Sequence, residues 1–489
     1  MPRFSRRACG ADASGYHGGD RLMTATATHS FRDRFALTAL LLPLILSTLA
    51  SRTLAWDKNG TVYTTNGSQA DVKAAIEDAK AGDTVMIPPG TFTYGANGDY
   101  IAINKAITLA GSGRKTTTIV IAGTSGMWTN AAIRLNGGPT VRDFTITGAS
   151  ADERAPFAAG GSNGWRITNI EFNQVKSSYF LYAHGVFGLV DNCTLNGAVG
   201  NSELIFTRGP ENAWQTDVTI GTADNVYIED CTFNGQGYVC DINSNGKAVV
   251  RFCTITGPIK VDGHGKASNT PPRGVRHMEI YHNVWTSNNQ AGWLTVEMRG
   301  GTGHIFSNTA ARGTFMLRDY AICAKWPNFG GFKTPKDYPI DDQIGTGKDP
   351  KVGGSEPMYV WDNRLTTGAP WTRYDSEAAA DAKALNGGVA FRDSDLIAQD
   401  RDFFSEIKDK KFDGSSGMGM GTRAQMDAIK PTRAKVGFWV TDEGEWNSKN
   451  PGPDGRLYVW DGKAWTLKYT PYTYPHPLRA KDDKNPSKP

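Results

Sequence analysis

Short runs that alternate between β-branched or aromatic residues and polar residues fill the middle of the chain, and one Asn or Cys marks a bend in each copy of the pattern. The seven bends are Asn169, Cys193, Cys231, Cys253, Asn283, Asn308 and Asn363. Their separations are 24, 38, 22, 30, 25 and 55 residues. The shortest separations, in the low twenties, are typical of one solenoid turn, and the longer ones indicate insertions at one corner. The pattern therefore predicts an all-β solenoid.

An amphipathic helix is predicted ahead of the repeats. Ser68 and Asp71 form a capping-box-like start, and Gly82 supplies a stop. The apolar stripe of this helix is Val72, Ala75, Ile76 and Ala79. An open solenoid end exposes unpaired backbone, so we expect the helix to cap that end.

The C-terminal part of the chain has a different pattern. Its tryptophans cluster at Trp439, Trp446, Trp460 and Trp465, and hairpin signals occur at Asp454-Gly455 and Asp461-Gly462. This segment is predicted to be an aromatic-rich β tail that packs on the solenoid or caps its far end. A sugar-binding role for the tail is the alternative.

Four segments follow from these patterns. Residues 1–55 form a prefix and signal peptide, whose true start could be Met23. Their apolar run from Phe35 to Ala50 is too short and too Pro-interrupted to span a membrane. The predicted solenoid covers 56–370, a mixed helical and loop segment covers 371–430, and the tail covers 431–489. We therefore expect a protein secreted to the periplasm or the cell exterior.

The charge balance changes once the leader is set aside. Of 53 basic and 49 acidic residues, seven and three lie in residues 1–55, which leaves 46 of each. A neutral mature chain gives no general reason to expect nucleic-acid or membrane binding. A monomer with no membrane span is expected.

Three cysteines share one position of the repeat. Stacked coils would place Cys193, Cys231 and Cys253 about 4.8 Å apart, which a disulfide tolerates. A ladder of small buried side chains is the favoured interpretation. The sequence contains no C-x-x-C pair, so a zinc site is not expected.

The segment Ser68–Phe92, with its helix and Pro-Pro-Gly turn, closely resembles the N-terminal cap and first strand of secreted right-handed parallel β-helix proteins of the pectin-lyase-like superfamily. The Asn and Cys bends resemble the stacked turns of that superfamily. The resemblance covers about residues 57–370 and implies a right-handed parallel β-helix. It leaves the function open, because the superfamily includes lyases, hydrolases, epimerases, esterases and non-catalytic proteins.

The active-site signatures of the superfamily are mostly missing. Gly263-His-Gly265 matches one element of the polygalacturonase-like hydrolases, but Asp341-Asp342 follows it in the wrong order. No convincing pectate-lyase, chondroitinase B-like or alginate-lyase-like signature is present. Candidate site residues are therefore inferred from the polar side chains that the repeat places on one face.

Alternation along the strands assigns their faces. If Leu294, Val296 and Met298 point inward, Glu297 and Arg299 point outward. The same parity predicts one exposed ribbon that carries Asp241, Lys260, Asp262, His264, Glu297, Arg299 and Arg318. Arg276 and His277, in the segment 265–278, are expected to overhang it. An ordinary solvated sheet face is the structural alternative.

A long shallow groove suits a polymer, and this mixture of charges suits a uronic-acid polysaccharide. Cleavage by β-elimination needs a cation to neutralise the carboxylate and a base to remove the adjacent proton. The candidate catalytic residues are Lys260 and His264 as bases, and Arg299 and Arg318 as neutralisers. The candidate substrate-binding residues are Asp241, Asp262, Arg276, His277 and Glu297. No metal ligand is assigned, although Asp241, Asp262 and Glu297 could hold Ca²⁺.

The sequence is also compatible with two other functions. A glycoside hydrolase would use paired carboxylates such as Asp262 and Glu297. A non-catalytic carbohydrate-binding or surface protein would need none of these groups for chemistry.

Overall fold

The computed structural model describes residues 56–123, 131–148, 155–173, 179–197, 203–265, 273–286, 295–318, 333–340, 342–348 and 354–481. These residues form 35 strands, numbered β1 to β35 in chain order, and four α-helices. The helices are α1 (Gln69–Asp78), α2 (Ala380–Leu385), α3 (Asp393–Leu396) and α4 (Arg423–Asp427). The predicted leader, residues 1–55, lies outside the described residues.

Three parallel ladders run along a stack of coils. Ladder I is β1 (Asp57–Asn59), β2 (Val62–Thr64), β3 (Thr84–Ile87), β6 (Thr108–Gly111), β9 (Thr140–Gly148), β11 (Trp165–Asn173), β13 (Gly188–Asp191), β16 (Val226–Glu229), β19 (Lys247–Arg251), β22 (His277–Tyr281), β25 (Thr302–Phe306), β28 (Met358–Trp361) and β31 (Phe403–Ser405). Within it, only the β1–β2 pair is antiparallel among the described strands.

Ladder II is β4 (Gly90–Tyr94), β7 (Thr117–Ile121), β14 (Thr194–Asn196), β17 (Thr232–Asn234), β20 (Thr254–Thr256), β23 (Val284–Trp285), β26 (Thr309–Ala310) and β29 (Arg364–Leu365). The long strands β9 and β11 pass through the bend and join ladders I and II into one sheet.

Ladder III is a separate sheet. It consists of β5 (Ile101–Ile103), β8 (Ile133–Leu135), β10 (Phe157–Ala159), β12 (Leu181–His184), β15 (Glu203–Arg208), β18 (Gly237–Asn243), β21 (Ile259–Gly263), β24 (Val296–Met298), β27 (Thr314–Leu317) and β30 (Thr372–Tyr374). The predicted right-handed parallel β-helix is confirmed. Strands β30 and β31 carry the coil stack past residue 370.

The bend between ladders I and II has a repeated backbone conformation. One residue in the left-handed region precedes each bend residue from Cys193 onward; these are Asn192, Asp230, Phe252, His282, Ser307 and Asp362, with φ between 51° and 55°. In the first copy Asn169 itself is left-handed, and register with β13 puts Ile170 where the next coil has Cys193. The sequence pattern therefore set the first bend one residue too early, because Asn is found both at the left-handed position and at the bend position that follows it.

Side chains inside the bends stack along the axis. Asn308 donates from Nδ2 to the carbonyl oxygen of Ile280 and to Oδ1 of Asn363, at 2.8 Å each. Asn283 makes the equivalent pair of bonds to Val250 and Asn308. The cysteines of the preceding coils occupy the same position, and Cys193, Cys231 and Cys253 are buried and free. The structure thus has a ladder of small buried side chains there.

Helix α1 closes the first end of the core, as predicted. The Ser68 hydroxyl accepts a hydrogen bond from the Asp71 amide at 3.3 Å. The ammonium of Lys105 donates to the carbonyl oxygens of Glu77 and Ala79 at 2.6 Å each, so it satisfies the C-terminal end of the helix. The predicted stripe is buried in the main core: Val72, Ala75, Ile76 and Ala79.

The C-terminal tail forms a four-stranded sheet and packs on the outward face of ladder I. The sheet is β32 (Met418–Gly421), β33 (Gly437–Val440), β34 (Arg456–Trp460) and β35 (Trp465–Tyr469), and it begins before residue 431. Asp461-Gly462 forms the β34–β35 hairpin, as its sequence indicates. Trp439, Trp446 and Tyr469 share one buried cluster with Tyr281 and Phe306 of ladder I. None of the described helices is long and apolar enough to cross a membrane.

Candidate functional site

The outward face of ladder III brings seven of the predicted site residues together. Asp241 of β18 is the register partner of Asp262 on β21, and Asp262 is the partner of Glu297 on β24. His264, Arg299 and Arg318 directly follow the aligned residues of β21, β24 and β27. We call this set the polar cluster: Asp241, Lys260, Asp262, His264, Glu297, Arg299 and Arg318.

The faces agree with the predicted alternation. Cys240, Ile242, Val296, Met298, Phe315 and Leu317 all lie in the main core. Leu294, which the sequence also assigned to the core, lies outside the described residues. On β21, Ile259 and Val261 also lie in the core. The polar cluster is outward because its members alternate with these buried side chains.

The cations and carboxylates of the polar cluster interlock between coils. Arg299 pairs with Asp262, and Lys260 pairs with Glu297. Lys260 also lies 3.4 Å from a carboxylate oxygen of Asp262, and Arg318 lies 3.5 Å from one of Glu297. Three cations thus face two paired carboxylates, which leaves one positive charge in excess.

These contacts fix the protonation of the paired groups. Burial alone would lower the pKa of Lys260, but Asp262 and Glu297 outweigh it and raise that pKa. Burial would raise the pKa of Glu297, yet Lys260, Arg299 and Arg318 hold it well below its usual range. Lys260 is therefore an ammonium at neutral pH, which makes it a poor base and a competent acid.

His264, in contrast to Lys260, has a lowered pKa. Burial, with the Arg299 guanidinium nearby, lowers its pKa to about 4. Nδ1 of the imidazole lies 2.8 Å from the carbonyl oxygen of Gly265. A carbonyl can only accept, so Nδ1 carries the proton and Nε2 carries the lone pair of a neutral imidazole.

Asp241 differs from the other acids of the polar cluster. Burial, with Glu203 and Asp262 nearby, raises the pKa of Asp241 well above its usual value. Its Oδ2 accepts a hydrogen bond from Asn243 at 3.3 Å, and Oδ1 is buried with no hydrogen-bond partner in the described residues. Burial therefore favours the uncharged form of the Asp241 carboxyl group.

The polar cluster is layered by depth. Asp262, Glu297 and Arg299 are buried, with exposed fractions of 0%, 4% and 7%. Lys260 and Arg318 are more open, with 12% of each side chain exposed, and His264 is partly exposed. The groups within reach of a ligand are thus two cations and one neutral imidazole, and the carboxylates lie beneath them.

Arg276 and His277 do not overhang the ribbon. Arg276 is fully buried, donates to the carbonyl oxygens of Ala213 and Thr216, and lies 3.3 Å from Glu356. His277 begins β22 of ladder I, where its Nε2 lies 2.6 Å from Oδ1 of Asn225. Both side chains take part in packing at the corner between ladders III and I, a location that differs from the predicted one.

Two residues that the sequence did not single out support Arg318. Ser376 Oγ accepts a hydrogen bond from Nη2 of Arg318 at 3.0 Å and donates to Oδ2 of Asp393 at 2.5 Å. Asp393 is fully buried at the start of α3, and burial raises its pKa to about 6. Nothing in the repeat indicates this contact, because residues 375–393 follow the last strand of ladder III and have no periodic pattern.

The three carboxyl groups suggested for Ca²⁺ do not fit such a site. Asp262 and Glu297 are already engaged by Lys260, Arg299 and Arg318. Burial raises the pKa of Asp241 and so disfavours its ionised form. Calcium prefers several ionised or carbonyl oxygens that are free to converge. Among the described residues, no group of three or more His, Cys, Asp or Glu side chains is arranged to hold a metal ion.

A cavity of about 740 Å³ opens at the C-terminal end of the coil stack. Phe315, Val360 and Phe403 line it, and all three belong to the main core. The described residues that line it include no member of the polar cluster. Polar side chains such as Arg364, Glu406 and Lys408 line it as well, so this cavity is a separate mixed polar and apolar opening.

Comparison with known proteins gives matches at the level of structure. No family model and no curated protein matches the sequence. An alginate lyase from Paenibacillus sp. str. FPU-7 is similar, with a TM-score of 0.41 and 12% identity over 64% of this chain and 98% of that chain. A PL6 family polysaccharide lyase from Pseudopedobacter saltans gives a TM-score of 0.36 and 15% identity over 64% and 78%. The catalytic domain of a GH87 α-1,3-glucanase gives 0.35 and 12% over 65% and 67%.

Proposed function

We propose that this protein is a polysaccharide lyase that cleaves uronic-acid-containing glycans by β-elimination. The observation that carries the proposal is the layering of the polar cluster, in which two cations and a neutral imidazole lie above the carboxylates. A secreted enzyme acting on a polysaccharide outside the cytoplasm is consistent with the predicted leader. The uncharged imidazole and the excess positive charge are the two features that β-elimination needs.

The first step is neutralisation of the uronate. Arg318 and Lys260 are the partly exposed cations, and a guanidinium can engage a carboxylate through two parallel hydrogen bonds. Neutralising that carboxylate acidifies the proton on the adjacent carbon, because the negative charge that develops there spreads into the carboxylate. Arg299, paired with Asp262 beneath, adds positive potential.

The second step is the removal of that proton. The Nε2 lone pair of His264 takes it, the C–O bond to the leaving sugar breaks, and a carbon–carbon double bond forms. Lys260, held in the ammonium form, can supply the proton that the leaving oxygen needs. Because the pKa of His264 is about 4, the imidazole is neutral above that pH and is lost as a base below it.

A hydrolase remains the second candidate, and one observation favours it. Burial raises the pKa of Asp241, which lies beside Asp262, and a hydrolase needs a protonated acid beside a carboxylate. The two Cα positions are register partners on adjacent coils, about 4.8 Å apart. Asp262 is already paired with Arg299, and Asp241 is only 2% exposed, so this pair is less available to a substrate than the lyase groups.

The test is a panel of pectin, alginate, glycosaminoglycans and neutral glycans. A lyase gives unsaturated uronate ends that absorb in the near ultraviolet, and a hydrolase gives reducing ends without that absorbance. His264→Ala and Arg318→Ala should each lower kcat/KM by about 100-fold or more. Arg423→Ala, which removes a partly exposed arginine at the start of α4, is the matched control.

Three outcomes would contradict the proposal. Product without near-ultraviolet absorbance would favour the hydrolase. Silence across the whole panel would favour a non-catalytic carbohydrate-binding protein. Full activity in both His264→Ala and Arg318→Ala would mean that the polar cluster is not the active site.

A further inference from the structure

The outward face of ladder III continues beyond the polar cluster in the C-terminal direction. Glu297 of β24 is the register partner of Met316 on β27, and Met316 is the partner of Tyr374 on β30. Tyr374 therefore occupies the same outward row as Asp262 and Glu297, two coils from Glu297. At the spacing between strands, two coils correspond to about 10 Å along the axis.

Tyr374 is unusually available for a tyrosine of this protein. Its exposed fraction is 49%, whereas Tyr227, Tyr281 and Tyr359 on ladder I are fully buried or nearly so. Two other described tyrosines are exposed above one third, but each has a guanidinium over its ring: Arg134 lies 3.4 Å from the centroid of Tyr100, and Arg401 lies 3.8 Å from that of Tyr338.

The Tyr374 ring has no such partner. Within the described part of the chain, no aromatic ring, cation or hydrogen-bonding group contacts its side chain. An exposed aromatic ring costs free energy in water unless something covers it, and a tyrosine offers a rigid apolar face with a polar tip. A sugar ring has the matching character, with an apolar C–H face and hydroxyl groups at its rim.

The strand that carries Tyr374 is firmly held. Its neighbour Arg373 points to the other side and donates from Nη1 to the carbonyl oxygen of Ile397 at 2.9 Å. Ser376, two residues further on, bonds to both Arg318 and Asp393. Tyr374 is thus mounted on the same segment that supports Arg318, so its position relative to the polar cluster is set by the fold.

We propose that Tyr374 forms a distal sugar subsite, which holds a ring of the polysaccharide about two coils away from the ring that reacts at the polar cluster. This inference rests on the proposed function and extends it, because it assigns a direction to the bound polymer. The chain would run along the coil axis from the polar cluster towards Tyr374, and Tyr374 would stack on a ring that takes no part in the chemistry. Long substrates would therefore benefit from Tyr374, and short ones would not.

The test measures binding and turnover as a function of chain length, with pectate and alginate oligomers from dimers upward as probes. Tyr374→Ala should weaken the binding of long oligomers about tenfold and leave dimer binding unchanged. Turnover should show the same split, with a higher KM for long substrates and an unchanged kcat. Tyr374→Phe keeps the ring and should retain most of the affinity. Leu385→Ala, a change at an exposed apolar residue of α2, is the control.

The outcomes separate this inference from the function on which it rests. If wild-type protein binds long oligomers and Tyr374→Ala binds them equally well, the subsite is wrong and the lyase proposal is untouched. A loss of the same size for dimers and long oligomers would also overturn the subsite, because it would indicate a role at the reacting ring. If the wild-type protein binds no uronate oligomer of any length, the proposed function fails and the subsite fails with it.

Discussion

Ladders I and III both present rows of charged residues on their outward faces, but the C-terminal tail covers only the ladder I row among the described residues. On ladder I, Glu229 and Arg251 pair at 2.7 Å, and the tail closes over them. Arg251 donates to the carbonyl oxygens of Tyr472 and Thr473, and Arg479 lies 3.1 Å from Glu229. On ladder III, Arg299 and Asp262 form a similar pair without a described tail residue above them.

The difference is consistent with the proposal that the same side chains are structural on ladder I and functional on ladder III. A buried ion pair is tolerated only when its remaining donors and acceptors are satisfied, and on ladder I the tail backbone does this. On ladder III the ion pairs join members of the row to one another, and Ser376 links Arg318 to Asp393. Lys260 and Arg318 stay partly exposed. A cluster of buried charges with partly exposed cations at its surface is typical of a functional site.

Removing one arginine from each row tests whether only the ladder III row is needed for activity. Among the described residues, Arg251→Ala leaves Glu229 with Arg479 as its only ion-pair partner, and Arg299→Ala leaves Asp262 with Lys260. Each loses the main partner of a buried carboxylate, so each should destabilise the fold by about 3 kcal/mol. Only Arg299→Ala should also lower kcat/KM, by about 100-fold or more, since it removes positive charge beside the reacting carboxylate. Urea unfolding and initial rates measured below both unfolding midpoints would give the two quantities. Equal losses of activity would mean that the ladder III row is structural as well.

The outward position of the polar cluster was predictable because a strict constraint acts on it. Val296 and Met298 must face the core, so alternation leaves no other face for Glu297 and Arg299. The amphipathic cap was predictable for the same reason. Its stripe, from Val72 to Ala79, has helical spacing, and its Ser68 cap is a local signal.

The residues at corners could not be placed in this way. Arg276 is buried because Ala213 and Glu356, which are distant in sequence, meet it there. The support of Arg318 by Ser376 and Asp393 likewise depends on an irregular segment after the last coil. No periodicity acts on such contacts, so the alternation that places strand residues carries no information about them.

A smaller effect is expected from a buried acid under the tail. Glu279 of ladder I accepts hydrogen bonds from the Tyr469 hydroxyl and from the Gly221 amide at 2.9 Å, and burial raises its pKa to about 7. The folded protein therefore holds a proton that the unfolded chain releases near its usual pKa of 4.5. Folding stability from this group is fully present at low pH and is lost as the pH rises towards 7.

Glu279→Gln should remove that pH dependence. The free energy of unfolding of the wild type should fall relative to Glu279→Gln by an amount on the order of 2 kcal/mol between about pH 4.5 and 7. Urea titrations of both proteins across that range would measure the difference. Parallel curves would show that Glu279 has an ordinary pKa. Catalysis should be unaffected by the substitution, because Glu279 lies on the face that the tail covers.

The smallest effect is expected from removing one hydroxyl group beside each of the two charged rows. The Tyr474 hydroxyl donates to Oδ1 of Asp230 at 2.6 Å under the tail, and the Ser376 hydroxyl links Arg318 to Asp393. Hydrogen bonds to charged groups contribute about 1.5–3 kcal/mol, so Tyr474→Phe and Ser376→Ala should lose comparable stability.

Their effects on turnover should differ. Ser376→Ala frees Arg318 to change its position, so kcat/KM should fall about tenfold with little change in the pH profile, because His264 is untouched. Ser376→Thr keeps the hydroxyl and should restore most of the activity, whereas Tyr474→Phe should leave turnover unchanged. If Ser376→Ala lost stability alone, Arg318 would be held well enough by Glu297, and the relay from Asp393 would be part of the scaffold. A tenfold loss that Ser376→Thr rescues would instead place a positioning group in the irregular segment that follows the coil stack.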